Sequence, residues 1–169
     1  MLTVRAETPE DYAAVRRVNE LAFESAGEAD LVDALRAGAA PCVSLVAEEE
    51  GRVVGHILFS PVTVESAGGD WGAMGLAPMA VLPERQGQGV GSALVREGLK
   101  ECARLGHEVV FVLGHENYYP RFGFRTAARE GVGCEFPAPE ENFMVVELRP
   151  GALGGRTGLV RYAPEFRNV

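Results

Sequence analysis

The run Arg85-Gln86-Gly87-Gln88-Gly89-Val90-Gly91 constrains this chain more than any other. Three glycines at alternate positions stand between two patterned segments. Before them, Trp71 to Val81 reads as an extended strand, ending Met79-Ala80-Val81-Leu82-Pro83. After them, Leu94, Val95, Leu99, Cys102 and Leu105 recur at helical spacing from about Ser92, and Gly106 supplies the stop. Alternating glycines let a chain adopt backbone angles closed to other residues and come close to a ligand. The helix that follows offers unpaired N–H groups and the positive end of its dipole. A strand–glycine turn–helix unit is therefore suited to an anion such as phosphate or pyrophosphate.

The choice of phosphate ligand narrows by pattern. An ATP-binding loop of the Walker type needs Gly-Lys-Ser/Thr, and Gly91 is followed directly by Ser92. The dinucleotide fingerprint needs Gly or Ala as its sixth residue. Counted from Gly87 that residue is Ser92, with no parallel βαβ pattern around it.

The rest of the chain reads as one soluble domain of mixed class. At 169 residues it is long enough for one well-formed core. Its 47% apolar and 24% charged residues are those of an ordinary globular protein. Leu2 to Arg5 is a short strand. Thr8-Pro9-Glu10-Asp11 opens a helix whose inward face is Tyr12, Val15, Val18 and Ala22. Ser25-Ala26-Gly27-Glu28 resembles a capping box ahead of Leu31, Val32 and Leu35. Cys42 to Glu48 and Val53 to Val64 read as strands, the latter bent at Gly55 and Pro61. Val109 to Leu113 is a continuous apolar run, expected as a buried central strand. His115 to Phe122 is a short helix or turn, Arg129 to Asn142 a loop, and Phe143 to Leu148 another strand. Leu159 to Tyr162 suggests an added edge strand. The expected class is α+β: one mixed, mostly antiparallel sheet with helices on its faces.

Several functions are disfavoured. Sixteen basic against twenty-four acidic residues give a net charge of −8, which argues against a nucleic-acid surface and mildly favours cationic partners. No apolar run approaches the roughly 20 residues of a membrane span, and no signal peptide is expected from the first residues. Cys42, Cys102 and Cys134 form no close pair, which fits a reducing cytoplasm. His56, His107 and His115 lack ligand spacing, so no metal is expected.

With Gln86 as its opening residue, the glycine run is similar to the Arg/Gln-x-x-Gly-x-Gly/Ala motif of the GNAT superfamily of N-acetyltransferases. Tyr119-Pro120-Arg121-Phe122-Gly123-Phe124 resembles that family's Tyr-x-x-x-Gly-Phe segment. The element order β-α-α-β-β-β-α-β-α-β is also similar. The likeness spans about residues 2–148 and points to the bacterial small-molecule or protein acetyltransferase branches. It implies a single domain over 1–169, with 149–169 as a C-terminal extension, and a sheet splayed between its fourth and fifth strands. It implies acetyl-CoA as acyl donor and a primary amine, on a small molecule or a protein, as acceptor. The family often forms homodimers.

The resemblance also assigns roles. Backbone groups of Gln86, Gly87, Gln88, Gly89, Val90 and Gly91 would hold the pyrophosphate, with the Ser92 hydroxyl beside them. Met79 and Val81 would offer main-chain groups to the pantetheine arm, and an N–H at Ala80 or Val81 would face the thioester oxygen. Gly114, His115, Glu116 and Asn117 would lie at the mouth of the gap, with Asn117 near the cofactor. Tyr119 takes the position of the general acid. The general base is where the chain departs from the family's clearer pattern, because Trp71 to Leu82 contains no acid. Glu24, Glu28 and Glu116 are the carboxylate candidates, with His115 beside them, and surface roles compete for each. An acyl-CoA-binding sensor without catalysis is the alternative reading.

Overall fold

A computed structural model describes all residues from Met1 to Val169. The chain divides into two compact units. One comprises Met1–Ser60, Ala77–Glu101 and Pro164–Val169, the other Pro61–Leu76 and Cys102–Ala163.

The first unit is built on an antiparallel meander. Strand β1 (Leu2–Ala6) pairs with β2 (Val43–Glu49), and β2 pairs with the first part of β3 (Arg52–Glu65). The β2–β3 register slips between Ala47 and Glu48, so the irregularity expected at Gly55 falls beside it at Val54. Helix α1 (Tyr12–Phe23) follows a 3-10 turn at Pro9–Asp11. Asp11 closes that turn by accepting hydrogen bonds from the Thr8 N–H (2.8 Å) and hydroxyl (3.2 Å). The Arg5 guanidinium donates to both oxygens of the same carboxylate, at 2.8 and 2.9 Å. Helix α2 spans Gly27–Ala37. Val15, Val32 and Val46 pack together as part of the core.

Two expected core positions fail. Tyr12 is 38% exposed and lies under the Arg36 guanidinium, 3.7 Å from its ring centroid. The cation takes the ring face that a core neighbour would otherwise cover. Leu105 is 52% exposed because helix α3 (Val90–Arg104) ends one residue before it.

The second unit contains the parallel ladder. The first part of β4 (Trp71–Val81) runs parallel to β5 (Val109–Leu113), from Met74 opposite Val110 to Leu76 opposite Val112. Strand β5 pairs antiparallel with β8 (Phe143–Glu147), and β8 with β6 (Arg125–Thr126). Phe111 stacks on Phe143 at 5.5 Å between centroids and meets Trp71 at 6.3 Å. The short helix or turn expected over His115–Phe122 is a single 3-10 turn, Tyr119–Phe122, with Pro120 in its first positions and the left-handed Gly123 ending it.

The segment read as loop from Arg129 contains β7 (Val132–Cys134). The C-terminal strand β9 (Gly158–Arg161) is not a free edge. It pairs antiparallel with Thr63–Glu65 of β3 and parallel with β7. Covering an edge with a short strand removes a row of unpaired backbone groups. The sheet is thus mixed, with parallel pairs at β4–β5 and β7–β9.

Candidate functional site

The glycine turn is held by its side chains and by the Gln86 N–H, which donates to the Pro83 carbonyl at 3.4 Å and so is already used, contrary to the expectation that it would hold the pyrophosphate. Gln86 Nε2 donates to the Val81 carbonyl at 3.0 Å, and Gln88 Nε2 donates to the Glu84 carbonyl at 3.2 Å. Arg85 pairs with Glu49 at 2.8 Å, and Arg52 pairs with Glu84 at 3.0 Å, tying the turn to the β2–β3 hairpin. Gly87 and Gly89 adopt φ of +75° and +87°, and a Cβ at either would meet nothing within 4 Å. Positive φ, not crowding, is what requires glycine there. Residues 86–89 are exposed.

Helix α3 then begins at Val90. Its first backbone bond runs from the Ala93 N–H to the Gly89 carbonyl at 3.1 Å. The N–H groups of Val90 and Gly91 precede that bond, in the first turn, where a helix supplies no acceptor of its own. Gly55 admits this first turn to the sheet, since a Cβ there would stand 2.9 Å from Val90 Cγ1.

The last residues of β4 divide their main-chain groups between two sides. Leu82 N–H donates to the Val54 carbonyl at 2.9 Å, and the Ala80 carbonyl faces Gly55 of β3. Alternation along a strand turns the main-chain groups of Met79 and Val81 away from β3. Of the two residues expected to offer an N–H to a ligand, Ala80 is therefore turned toward β3 and Val81 is not.

Tyr119 belongs to the second unit and is 8% exposed. Its ring meets Tyr118 and Phe124 edge-on, at 5.1 and 5.7 Å between centroids. Burial, reinforced by Tyr118, pushes its phenol up to about 12. Glu116 and Asn117 are exposed in the same turn, where the Tyr118 N–H donates to the His115 carbonyl at 3.1 Å. Arg121 braces that turn by donating to the Tyr118 carbonyl at 2.9 Å.

Glu24 and Glu28 lie in the first unit with the glycine turn. Glu24 is exposed at the end of α1 with φ +55°. Glu28 is half-buried and accepts the Ser25 hydroxyl at 3.3 Å. Neither these two nor Glu116 is enclosed.

Comparison with known proteins follows the same lines. The acetyltransferase (GNAT) domain family matches residues 3–127. The chain belongs to the GNAT family of acetyltransferases. It is 39% identical over 166 residues to the uncharacterized N-acetyltransferase YhbS of Escherichia coli K12, covering 98% of each. The crystal structure of E. coli YhbS in complex with CoA superimposes with a TM-score of 0.91 at 40% identity, covering 98% of this chain and 92% of that one. A GNAT acetyltransferase from Brucella melitensis, in complex with acetyl-CoA, gives 0.81 at 38% identity, covering 98% of each chain. This chain is thus an N-acetyltransferase of mixed α/β fold.

The sequence reading overlooked two features of this region. The Gln86 side chain closes onto β4, which an isolated motif does not reveal. Asn142 bonds with Gly114, two residues that are far apart in the chain.

Proposed function

We propose that this GNAT enzyme moves the acetyl group of acetyl-CoA to a primary amine that attacks the thioester directly. The observation carrying this reading is the exposed glycine turn: Gly87 and Gly89 at positive φ, with the first-turn N–H groups of Val90 and Gly91 behind them. A diphosphate placed there accepts several N–H bonds and gains about 0.3–1 kcal/mol from the helix dipole, up to roughly 2 if partly buried. The CoA and acetyl-CoA complexes of the two similar structures support the same ligand.

Val81 and Met79 are the β4 residues whose main-chain groups suit the pantetheine arm and the thioester oxygen. A fixed N–H directed at the oxygen that gains negative charge during attack lowers the barrier. As the amine nitrogen bonds to the acetyl carbon, the carbon–sulfur bond breaks and the thiolate leaves.

Two protons have to move. An amine of pKa near 10.4 is about 3.4 units from its neutral form at pH 7, a cost of roughly 4.6 kcal/mol. Glu24, Glu28 and Glu116 are the carboxylates proposed to receive that proton, directly or through water. Tyr119 is proposed to serve the departing sulfur. Against a thiol near 8.5, a phenol at about 12 makes complete proton transfer uphill by about 5 kcal/mol. Tyr119 therefore acts by donating a hydrogen bond to the sulfur, and solvent completes the protonation.

The acceptor is a small-molecule amine or a protein amino group, and the net charge of −8 is compatible with a cationic one. The test is CoA release from acetyl-CoA across a panel of polyamines, aminoglycosides, amino acids and lysine peptides. Amine-dependent release is expected. Tight acetyl-CoA binding with no release for any amine would favour a sensor instead.

A further inference from the structure

We propose that Gly114 and Asn142 are positioning residues for Tyr119, an inference that rests on the role given to Tyr119 above. The β5–β8 ladder reaches Leu113 opposite Phe143. One residue further, the Gly114 N–H donates to the Asn142 carbonyl at 2.8 Å. A normal antiparallel rung would be completed by the Asn142 backbone N–H. That N–H is already given to the Pro139 carbonyl at 3.0 Å, inside the 3-10 turn at Glu140–Asn142. The Asn142 side chain substitutes for it, with Nδ2 donating to the Gly114 carbonyl at 3.0 Å. Of the common side chains, Asn and Gln carry such a neutral amide, and the short reach here suits Asn.

This extra rung fixes Gly114 against the Tyr119 ring. A Cβ on residue 114 would stand 3.0 Å from Tyr119 Cδ2 and nearer still to Cε2. The ring therefore lies directly on the glycine Cα. Phe122 and Phe124 contact it elsewhere, at 6.4 and 5.7 Å between centroids. Gly114 is not at positive φ, so glycine is needed there for the ring's close approach and not for backbone freedom. Misplacing a reacting group by about 1 Å can cost on the order of 100-fold in rate. The clamp sets the phenol hydroxyl, and hence its hydrogen bond to the leaving sulfur.

The experiment compares Gly114→Ala, Asn142→Ala, Tyr119→Phe and the two doubles with Tyr119→Phe. Single-turnover CoA release is measured from acetyl-CoA with n-butylamine as acceptor, and acetyl-CoA affinity by calorimetry. Ring signals of 13C-tyrosine are recorded, with Tyr119 assigned by its loss in Tyr119→Phe. Each clamp variant is expected to move the Tyr119 signal and to slow the single turnover about 10- to 100-fold, with Kd within about twofold. In the Tyr119→Phe background the same changes should slow it less than about twofold, because no hydroxyl remains to misplace. Additive losses, or an unmoved Tyr119 signal in Asn142→Ala, overturn the clamp. Asn142→Ala serves if Gly114→Ala does not fold. A Tyr119→Phe rate equal to wild type removes the leaving-group role instead, and the clamp is then judged on the spectra alone.

Discussion

The ring of Phe59 occupies the place where a side chain on residue 98 would begin. A Cβ on Gly98 of α3 would stand 2.6 Å from Phe59 Cζ and closer still to Cε1. Phe59 is fully buried on β3 and has no room to retreat. Two effects oppose each other in Gly98→Ala. Alanine in a helix interior gains about 1 kcal/mol over glycine, while overpacking a rigid core costs about 1–3 kcal/mol. The clash should win, with net destabilisation of up to about 2 kcal/mol in urea melts. Combining it with Phe59→Leu should cost less than the two changes summed, since the smaller side chain frees the space. A neutral or stabilising Gly98→Ala would show that the helix can lift off the sheet at little cost.

Gly89→Glu should abolish acetyl-CoA binding. It forces a Cβ residue to φ +87° and sets a carboxylate where the diphosphate is proposed to lie. Wild-type protein at an acetyl-CoA concentration 100 times Kd should gain about 2.7 kcal/mol of stability. The variant should gain none in the same thermal melt. A wild-type shift retained in Gly89→Glu would place the diphosphate elsewhere.

Tyr119→Phe should slow the acetyl-transfer step by about 10- to 100-fold and leave acetyl-CoA affinity almost unchanged. With its phenol raised to about 12, Tyr119 stays protonated throughout the working range. The rate should therefore rise with pH as the amine loses its proton and show no fall before about pH 11. A decline centred near pH 9–10 that disappears in Tyr119→Phe would contradict the buried, high-pKa phenol.

His56 should make the fold acid-sensitive. It is fully buried on β3, within 3.2 Å of Asn19 Nδ2 through Nδ1 and 2.9 Å of the Ser44 hydroxyl through Nε2. Burial first, then the Arg36 charge, lowers its pKa to about 3. The unfolded chain takes up this proton near pH 6.5, whereas the folded chain resists until about 3. Folding stability is then unaffected by His56 above pH 6.5. It falls by about 1.4 kcal/mol per unit as pH drops through that window, or about 2 kcal/mol at pH 5. Urea melts at pH 7.5 and 5 should show this slope in wild type and lose that share of it in His56→Gln. Equal slopes in both proteins would mean that His56 is protonated in the fold.

The Arg5–Asp11 pair adds a second, lower window. Chiefly through its hydrogen bonds from Arg5, the Asp11 carboxyl is held down at about 2. Its contribution is complete above pH 4 and is lost as pH falls through 2. Because Arg5 is a third exposed, that contribution is set at about 1–2 kcal/mol. Arg5→Met should raise the midpoint of acid unfolding and change stability little at pH 2. An unchanged midpoint would leave the pair without thermodynamic weight.

Elements whose signals are local can be read from the order of residues alone. Glycines at positions 87, 89 and 91, the apolar run at 109–113 and the periodicity of α3 each follow from neighbouring residues, and so the family was legible from the chain. Pairings between distant residues were decided only by tertiary structure. No local period marks β7, whose three residues become a strand because β9 lies beside them. Tyr12 has the spacing of a core residue, yet Arg36, distant in sequence, draws it to the surface. Gly98 and Gly114 look like ordinary glycines until Phe59 and Tyr119 are brought against them. Periodicity and turn chemistry act over a few bonds, whereas packing and cross-chain hydrogen bonds depend on which segments meet.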